Sequence, residues 1–371
     1  MSDNISMEFE ASYNSKDLIL YALSIGVGSS RVDVNDDELK FLYERHQNFA
    51  AIPTFCLALT FWAEPPAHRR NKQIANTTGS STCGIPSFPP PLMVQSELIP
   101  RPYLKQSVSL SAYPILHTWQ SVAWHQPMPV PEVRPLNDMR YDQGISTTLK
   151  TQTISIVPKS IGTFVTSETK VQFNNDETET KRSLVCTMQS TALILGLPED
   201  TVIAYDSDTP QMTYHPQIPI HRRPLVEWTY RTVPNQALLY RIASGDSNRI
   251  HVDDSASQRL GRDVPLLHGL CTLAIAFRGL QLVVEDAHTR ISKLEAKFAR
   301  PVFVGDEGCI RIWHDDRADG NKDGNVSQQQ SIVTRTRLLF VVLNSKTEET
   351  LVDNGLAEFH PRTLSHRSSK L

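Results

Sequence analysis

Residues 265–284 read PLLHGLCTLAIAFRGLQLVV, a run that is apolar on every side of a helix. A helix of that kind must be buried all round. With its Pro, Gly and Arg interruptions it is too short to span a membrane, which takes about 18 continuous apolar residues. The cover has to come from the rest of the chain. Four segments before it are short runs rich in Val, Ile, Thr and aromatics, at 108–125, 144–157, 161–173 and 181–195. Three more follow, at 295–303, 308–314 and 333–344. Such runs, separated by Pro, Asn and Asp turns, predict antiparallel strands. The expected fold is therefore α+β, each half a central helix with a sheet wrapped around it.

The remaining segments are read by their breakers. Residues 36–49 predict a short amphipathic helix, with Asp36 as N-cap and Leu39, Leu42 and Tyr43 on one face. Pro53 predicts a break in the apolar run 51–61. Residues 64–93 and 205–224, dense in Pro, Ser, Thr and polar residues, predict a surface loop and a linker. A helical or loop segment opens at 236–242, and 253–263 predicts a short polar helix.

Charge and cysteine content narrow the function. The 37 basic and 40 acidic residues nearly balance, which gives no reason to expect nucleic acid or an anionic membrane as partner. The five cysteines are widely spaced without a CxxC pair, which reads as reduced thiols and neither a disulfide scaffold nor a zinc site. The N-terminal residues lack the apolar run of a signal peptide. The last residues, Ser369, Lys370 and Leu371, form the tripeptide read by the peroxisomal import receptor, which predicts peroxisomal localisation. Asp319, Asn321, Asp323 and Gly324 imitate the start of a calcium loop, but the twelfth position is Gln330 instead of a bidentate Glu, so a polar hairpin tip is expected and no metal.

The densest chemistry lies at 240–251, YRIASGDSNRIH. Gly245 allows a turn. Asp246, Asn248 and His251 then fall close together, and a carboxylate beside an imidazole can share one water, holding it and passing its proton. The same spacing also suits an Asx-turn or helix cap with a packed histidine. Just downstream, Pro265–Gly269 opens the apolar helix. Its free first amides and positive end suit the oxygen of a thioester as it becomes enolate-like, although a plain packed helix start fits the same residues.

GDSNRIH followed by PLLHGLCTLA resembles the hydratase 2 motif of the MaoC-like hot-dog family. Segments 18–28, 39–55, 115–129 and 297–306 are similar to the hydratase 2 unit of peroxisomal multifunctional enzyme type 2. The resemblance implies two hot-dogs in tandem: an N-terminal one over 1–205 on the acyl-chain side, a linker over 206–225, a catalytic one over 226–345 and a targeting tail over 346–371. It implies interconversion of trans-2-enoyl-CoA and (3R)-3-hydroxyacyl-CoA, with no cofactor beyond the CoA of the substrate. The catalytic Asp and His fall on Asp246 and His251, the water-orienting Asn on Asn248, and the oxyanion amide on Gly269. Acyl-CoA contacts fall on His117, Thr118, Lys159, Ser247, Arg249, Ile250 and Phe298. Arg249 replaces the motif's Pro, Thr118 its Gly and Val264 its Lys, departures that bear on substrate identity. With no dehydrogenase unit attached, the resemblance points to a stand-alone hydratase of a fungal fatty-acid or polyketide-derived pathway, able to dimerise. A catalytically silent acyl-CoA-binding protein and a thioesterase are the alternatives on the same fold.

Overall fold

The computed structural model describes residues 6–29, 36–64, 99–106, 108, 110, 113–132, 144–174, 182–211, 216–253, 258, 262–284, 289–315 and 336–361. The first half contains β1 (Ser6–Tyr13), α1 (Ser15–Ser24), β2 (Ile115–Trp124), β3 (Ile145–Lys159), β4 (Gly162–Asn174), β5 (Arg182–Leu195) and β6 (Tyr205–Asp206). The second contains β7 (Val226–Arg231), α2 (Gln236–Ser244), α3 (Gly269–Gln281), β8 (Thr289–Phe298), β9 (Glu307–His314), β10 (Thr336–Asn344) and β11 (Thr350–Pro361).

The strands form one sheet in the order β1-β3-β4-β5-β2-β8-β11-β10-β9-β7, with β6 attached to β3. Every pairing is antiparallel. The seam between halves is β2 against β8, from Trp119 opposite Lys297 to Ala123 opposite Lys293. A sheet this large must curl to bury its apolar face, and α3 supplies what it curls around. Leu273, Ala274, Ala276, Phe277 and Leu280 of α3 are buried with Val122, Leu294, Ile310 and Phe340 from the sheet in one core shared by both halves. Among the described residues no helix is long and apolar enough to cross a membrane.

The halves are also locked through their helices. Asn14 and Asp17 form a reciprocal capping box that fixes the start of α1. Gln236 at the start of α2 donates to the carbonyl of Ser24 at the end of α1. Arg278 near the end of α3 donates to Ile25 O at 3.0 Å and pairs with Glu38 at 3.2 Å.

Several expectations are corrected. Among the described residues the first half has no long central helix; the short helical turns Pro53–Leu57 and Leu59–Trp62 take its place, with Pro53 opening the first. Residues 36–49 are helical only over Asp36–Leu39 and continue as isolated turns, which so short a stretch of periodicity cannot distinguish from a helix. The apolar helix begins at Gly269, four residues later than read, because Leu266 bridges Phe303 and the Leu267 amide donates to Val302. The strand read at 295–303 is β8, which ends at Phe298. The expected tail from 346 contains β11, a strand lying between β8 and β10, so 350–361 belong to the second sheet half. The 253–263 helix, the 64–93 loop, the calcium-like loop and Ser369, Lys370 and Leu371 lie wholly or mostly outside the described residues.

Candidate active site

The site is built where α2 stops. Gly245 adopts φ +75°, ψ 4°, a left-handed conformation that glycine reaches at no steric cost, and its amide closes onto Arg241 O at 2.9 Å. Trp62 of the first half lies directly on this glycine: a Cβ built there would sit 2.4 Å from the indole Cδ1 and Nε1. The chain therefore leaves α2 at a fixed angle and delivers Asp246 into the interior, 7% exposed.

Two nested turns then bring His251 back to it. Asp246 Oδ1 accepts from the Asn248 amide at 3.0 Å, and Asn248 Oδ1 accepts from the Ile250 amide at 3.3 Å. The second bond caps the short turn Arg249–His251. Asx-turn and cap geometry are thus both present, and they aim the Asp246 carboxylate and the His251 imidazole at each other. His251 Nδ1 lies 2.8 Å from Leu266 O, so Nδ1–H donates a hydrogen bond to that carbonyl and Nε2 of the neutral ring is left unprotonated. Nε2 faces Asp246 Oδ2 at 3.9 Å. That gap is too long for a direct hydrogen bond and suits one bridging water, since two bonds of about 2.8 Å meeting near a right angle span it.

Burial tunes both groups. It pushes the Asp246 carboxyl above its ordinary 3.8, opposed by the His251 charge and the Asn248 amide. Burial likewise lowers His251 below 6.5, opposed by Asp246 and the Leu266 carbonyl. The two proton affinities are brought toward each other, as proton exchange between them requires.

His268 is a third member that sequence reasoning left as a helix start. Its ring stacks on His251 with centroids 3.6 Å apart, and its Nε2 lies 3.8 Å from the same Asp246 Oδ2. A signal was present, since His268 belongs to the Pro265–Gly269 run already singled out for Gly269. Asp246, His251 and His268 each offer one ligand atom, all within 4.8 Å of one another, and are the group among the described residues that could also hold a metal ion.

Gly269 is the first residue of α3, so its N–H has no partner within the helix, and the first turn contains no acidic residue to offset the positive end. A Cβ at 269 would lie 3.2 Å from Phe298 Cδ1. Phe298 in turn packs against His117 of β2, ring centroids 4.9 Å apart. The seam strands thus bring His117 and Phe298 to the oxyanion candidate. Thr118 occupies a bulge in β2, where its hydroxyl donates to Thr191 O at 3.0 Å, so the bulge is satisfied without glycine.

The other expected contacts scatter. Arg249 is exposed and pairs with Asp253 at 2.8 Å, on the solvent side of the catalytic turn. Ser247 and Ile250 are half-buried on the same turn. Lys159 ends β3 at the β3–β4 hairpin, its ammonium 5.7 Å from the Phe164 ring. It stands three strands from β2, about 14 Å across the sheet. Trp62, which sequence reasoning missed, gave no signal beyond being one more aromatic in an apolar run.

A curled antiparallel sheet to which two halves of one chain contribute, wrapped around α3, with a carboxylate and an imidazole beside that helix's start, defines a tandem hot-dog hydratase/dehydratase. Residues 209–336 match the MaoC like domain, and residues 11–78 match the MFE-2 hydratase 2 N-terminal domain. The chain thus carries a MaoC-like domain preceded by a hydratase 2 N-terminal domain. Peroxisomal enoyl-CoA hydratase 2 of Arabidopsis thaliana is 27% identical over 314 residues, covering 82% of this chain and 83% of its own. Peroxisomal multifunctional enzyme type 2 of Drosophila melanogaster is 26% identical over 84% of this chain, which spans 42% of that longer protein. The crystal structure of a MaoC-like dehydratase from Phytophthora capsici superposes with a TM-score of 0.64 at 25% identity, covering 96% of this chain and 95% of the other.

Proposed function

We propose that this protein adds water to trans-2-enoyl-CoA to give (3R)-3-hydroxyacyl-CoA and catalyses the reverse elimination. The observation that carries this reading is the 3.9 Å separation of Asp246 Oδ2 and His251 Nε2, a gap that one bridging water would fit. The Gly269 N–H binds the thioester oxygen and stabilises the charge that develops on it when the double bond is attacked. The water oxygen adds at Cβ while Asp246 and His251 take one of its protons and return one to Cα on the same face. Carbon gains H and OH together, and no net proton is released. Acid–base help of this kind contributes on the order of 100- to 10,000-fold. The chemistry calls for no redox group, and CoA belongs to the substrate.

His117, Phe298 and Thr118 shape the cleft beside the thioester. Arg249 and Lys159 are the cations for the CoA phosphates, Arg249 on the lip of the site and Lys159 further along the sheet edge. The names of the relatives support a peroxisomal role in fatty-acid β-oxidation, with Ser369, Lys370 and Leu371 as the address read by the import receptor. A fluorescent fusion should reach peroxisomes and become cytosolic when these three residues are removed.

The decisive assay follows the ultraviolet absorbance of crotonyl-CoA and longer enoyl-CoAs, with product stereochemistry. Turnover in the wild type and its loss in folded Asp246→Ala are expected. Release of free CoA thiol without hydration would point to a thioesterase, and binding without turnover to a silent acyl-CoA carrier; either result overturns the proposal.

A further inference from the structure

His268 has no part in the reaction as described so far, yet it is more deeply buried than Asp246 or His251, 2% exposed. Neither ring nitrogen reaches a hydrogen-bond partner among the described residues. The Asp246 backbone carbonyl lies near enough to favour the ring's charged form, but outside hydrogen-bond geometry. A buried N–H left unpaired is rare and calls for a reason. Resting on the hydratase reading above, we propose that His268 is a third catalytic residue, which donates a hydrogen bond from Nε2–H to the attacking water and so fixes its orientation.

The geometry supports a single shared water. One ring nitrogen of each histidine and an Asp246 oxygen lie within 4.8 Å of one another. Any three atoms so spaced can be reached from one point within about 2.8 Å, the length of a good hydrogen bond. Water has two protons and two lone pairs. Asp246 Oδ2 and the unprotonated His251 Nε2 accept the two protons. With only these partners the water can still rotate about the line joining them. A donor from His268 occupies one lone pair and directs the other toward Cβ.

The histidine must be neutral to keep the site from carrying an extra charge. Burial first, and then the neighbouring His251 and Arg241, hold it well below its ordinary 6.5. The ring faces His251 at 3.6 Å and Tyr240 at 5.0 Å, and both contacts stop it from turning away. His268 also immediately precedes Gly269 in the chain, so the donor to the water and the donor to the thioester oxygen are set by consecutive residues.

The test compares His268→Phe, which keeps the packing without a donor, with His268→Gln, which restores one. Each is assayed on crotonyl-CoA with separate kcat and KM, beside circular dichroism and thermal melting. His268→Phe should lower kcat on the order of 100-fold with KM nearly unchanged, the size of a lost transition-state donor. His268→Gln should recover at least tenfold of that loss, a rescue that a packing role would not give. If His268→Phe does not fold, His268→Leu against His268→Gln makes the same comparison. A kcat within about threefold of wild type in the apolar variant, or no rescue by Gln, overturns the assignment. Should Asp246→Ala also remain active, it is the hydratase reading that fails; if Asp246→Ala is silent while His268→Phe turns over, only the role of His268 is lost.

Discussion

Replacing Gly245 by alanine should cost this protein both stability and activity. The left-handed conformation at φ +75° costs a non-glycine residue about 1–2 kcal/mol. The new Cβ would also stand 2.4 Å from Trp62 Cδ1 and Nε1, where carbon contacts prefer about 3.5–4.0 Å, so the indole or the loop must move by more than an ångström. Overpacking of that kind costs about 1–3 kcal/mol, which gives about 2–5 kcal/mol in all. A melting entropy of about 2.1 cal/mol/K per residue over 371 residues is about 0.8 kcal/mol/K, and the expected fall in Tm is about 3–6 °C. Asp246 is the next residue, and a misplacement of about 1 Å costs about 100-fold in rate. Differential scanning calorimetry and the enoyl-CoA assay read the two effects. The double variant Gly245→Ala with Trp62→Ala should recover the contact part of the activity loss but not the backbone part. A single variant with Tm within a degree of wild type and undiminished kcat would refute the claim that Trp62 and Gly245 together aim the carboxylate.

The pH dependence of stability follows from the buried histidines. Because His251 and His268 are lowered below 6.5, the unfolded chain takes up protons that the native chain refuses once the pH drops under that value, so stability declines through their folded pKa values. Asp246 is raised, so its contribution runs the other way and fades as the pH rises above 3.8 through its folded value. His268→Phe should therefore flatten the decline of Tm as the pH falls below 6.5, and an unchanged slope would contradict the assignment. Thr118→Gly removes the bond to Thr191 and should lower stability by about 1 kcal/mol in urea denaturation. Arg249→Ala and Lys159→Ala should each raise KM for acyl-CoA with kcat unchanged, and the effect should shrink as salt is added; equal KM at low salt would remove these two side chains from CoA binding.

What the sequence revealed follows from how local each signal is. The strands at β3, β4 and β5 were legible to within a residue or two, because β-branched alternation bounded by turns is written in the segment itself. β1, β7 and β11 were not read: they are short, or rich in Glu, Asn and Asp, and owe their strand form to the neighbours that pair with them. The start of α3 was misplaced because Pro265, Leu266 and Leu267 have no local reason to be extended; contacts with residues 302 and 303 make them so. At the site, Asp246, Asn248, His251 and Gly269 could be named from spacing and family resemblance. His268 and Trp62 needed three dimensions, since their importance rests on a ring stack and on a contact made across the two halves.

The β2–β8 seam joins the halves inside a single polypeptide. Were the same union made by two identical subunits, every substitution would appear twice, and each copy would have to keep both the proton-transfer groups and the walls of the cleft. Duplication within one chain lifts that symmetry. Each side of the junction can change alone, so the half that carries Asp246 and His251 is held to their geometry while the other is free to vary.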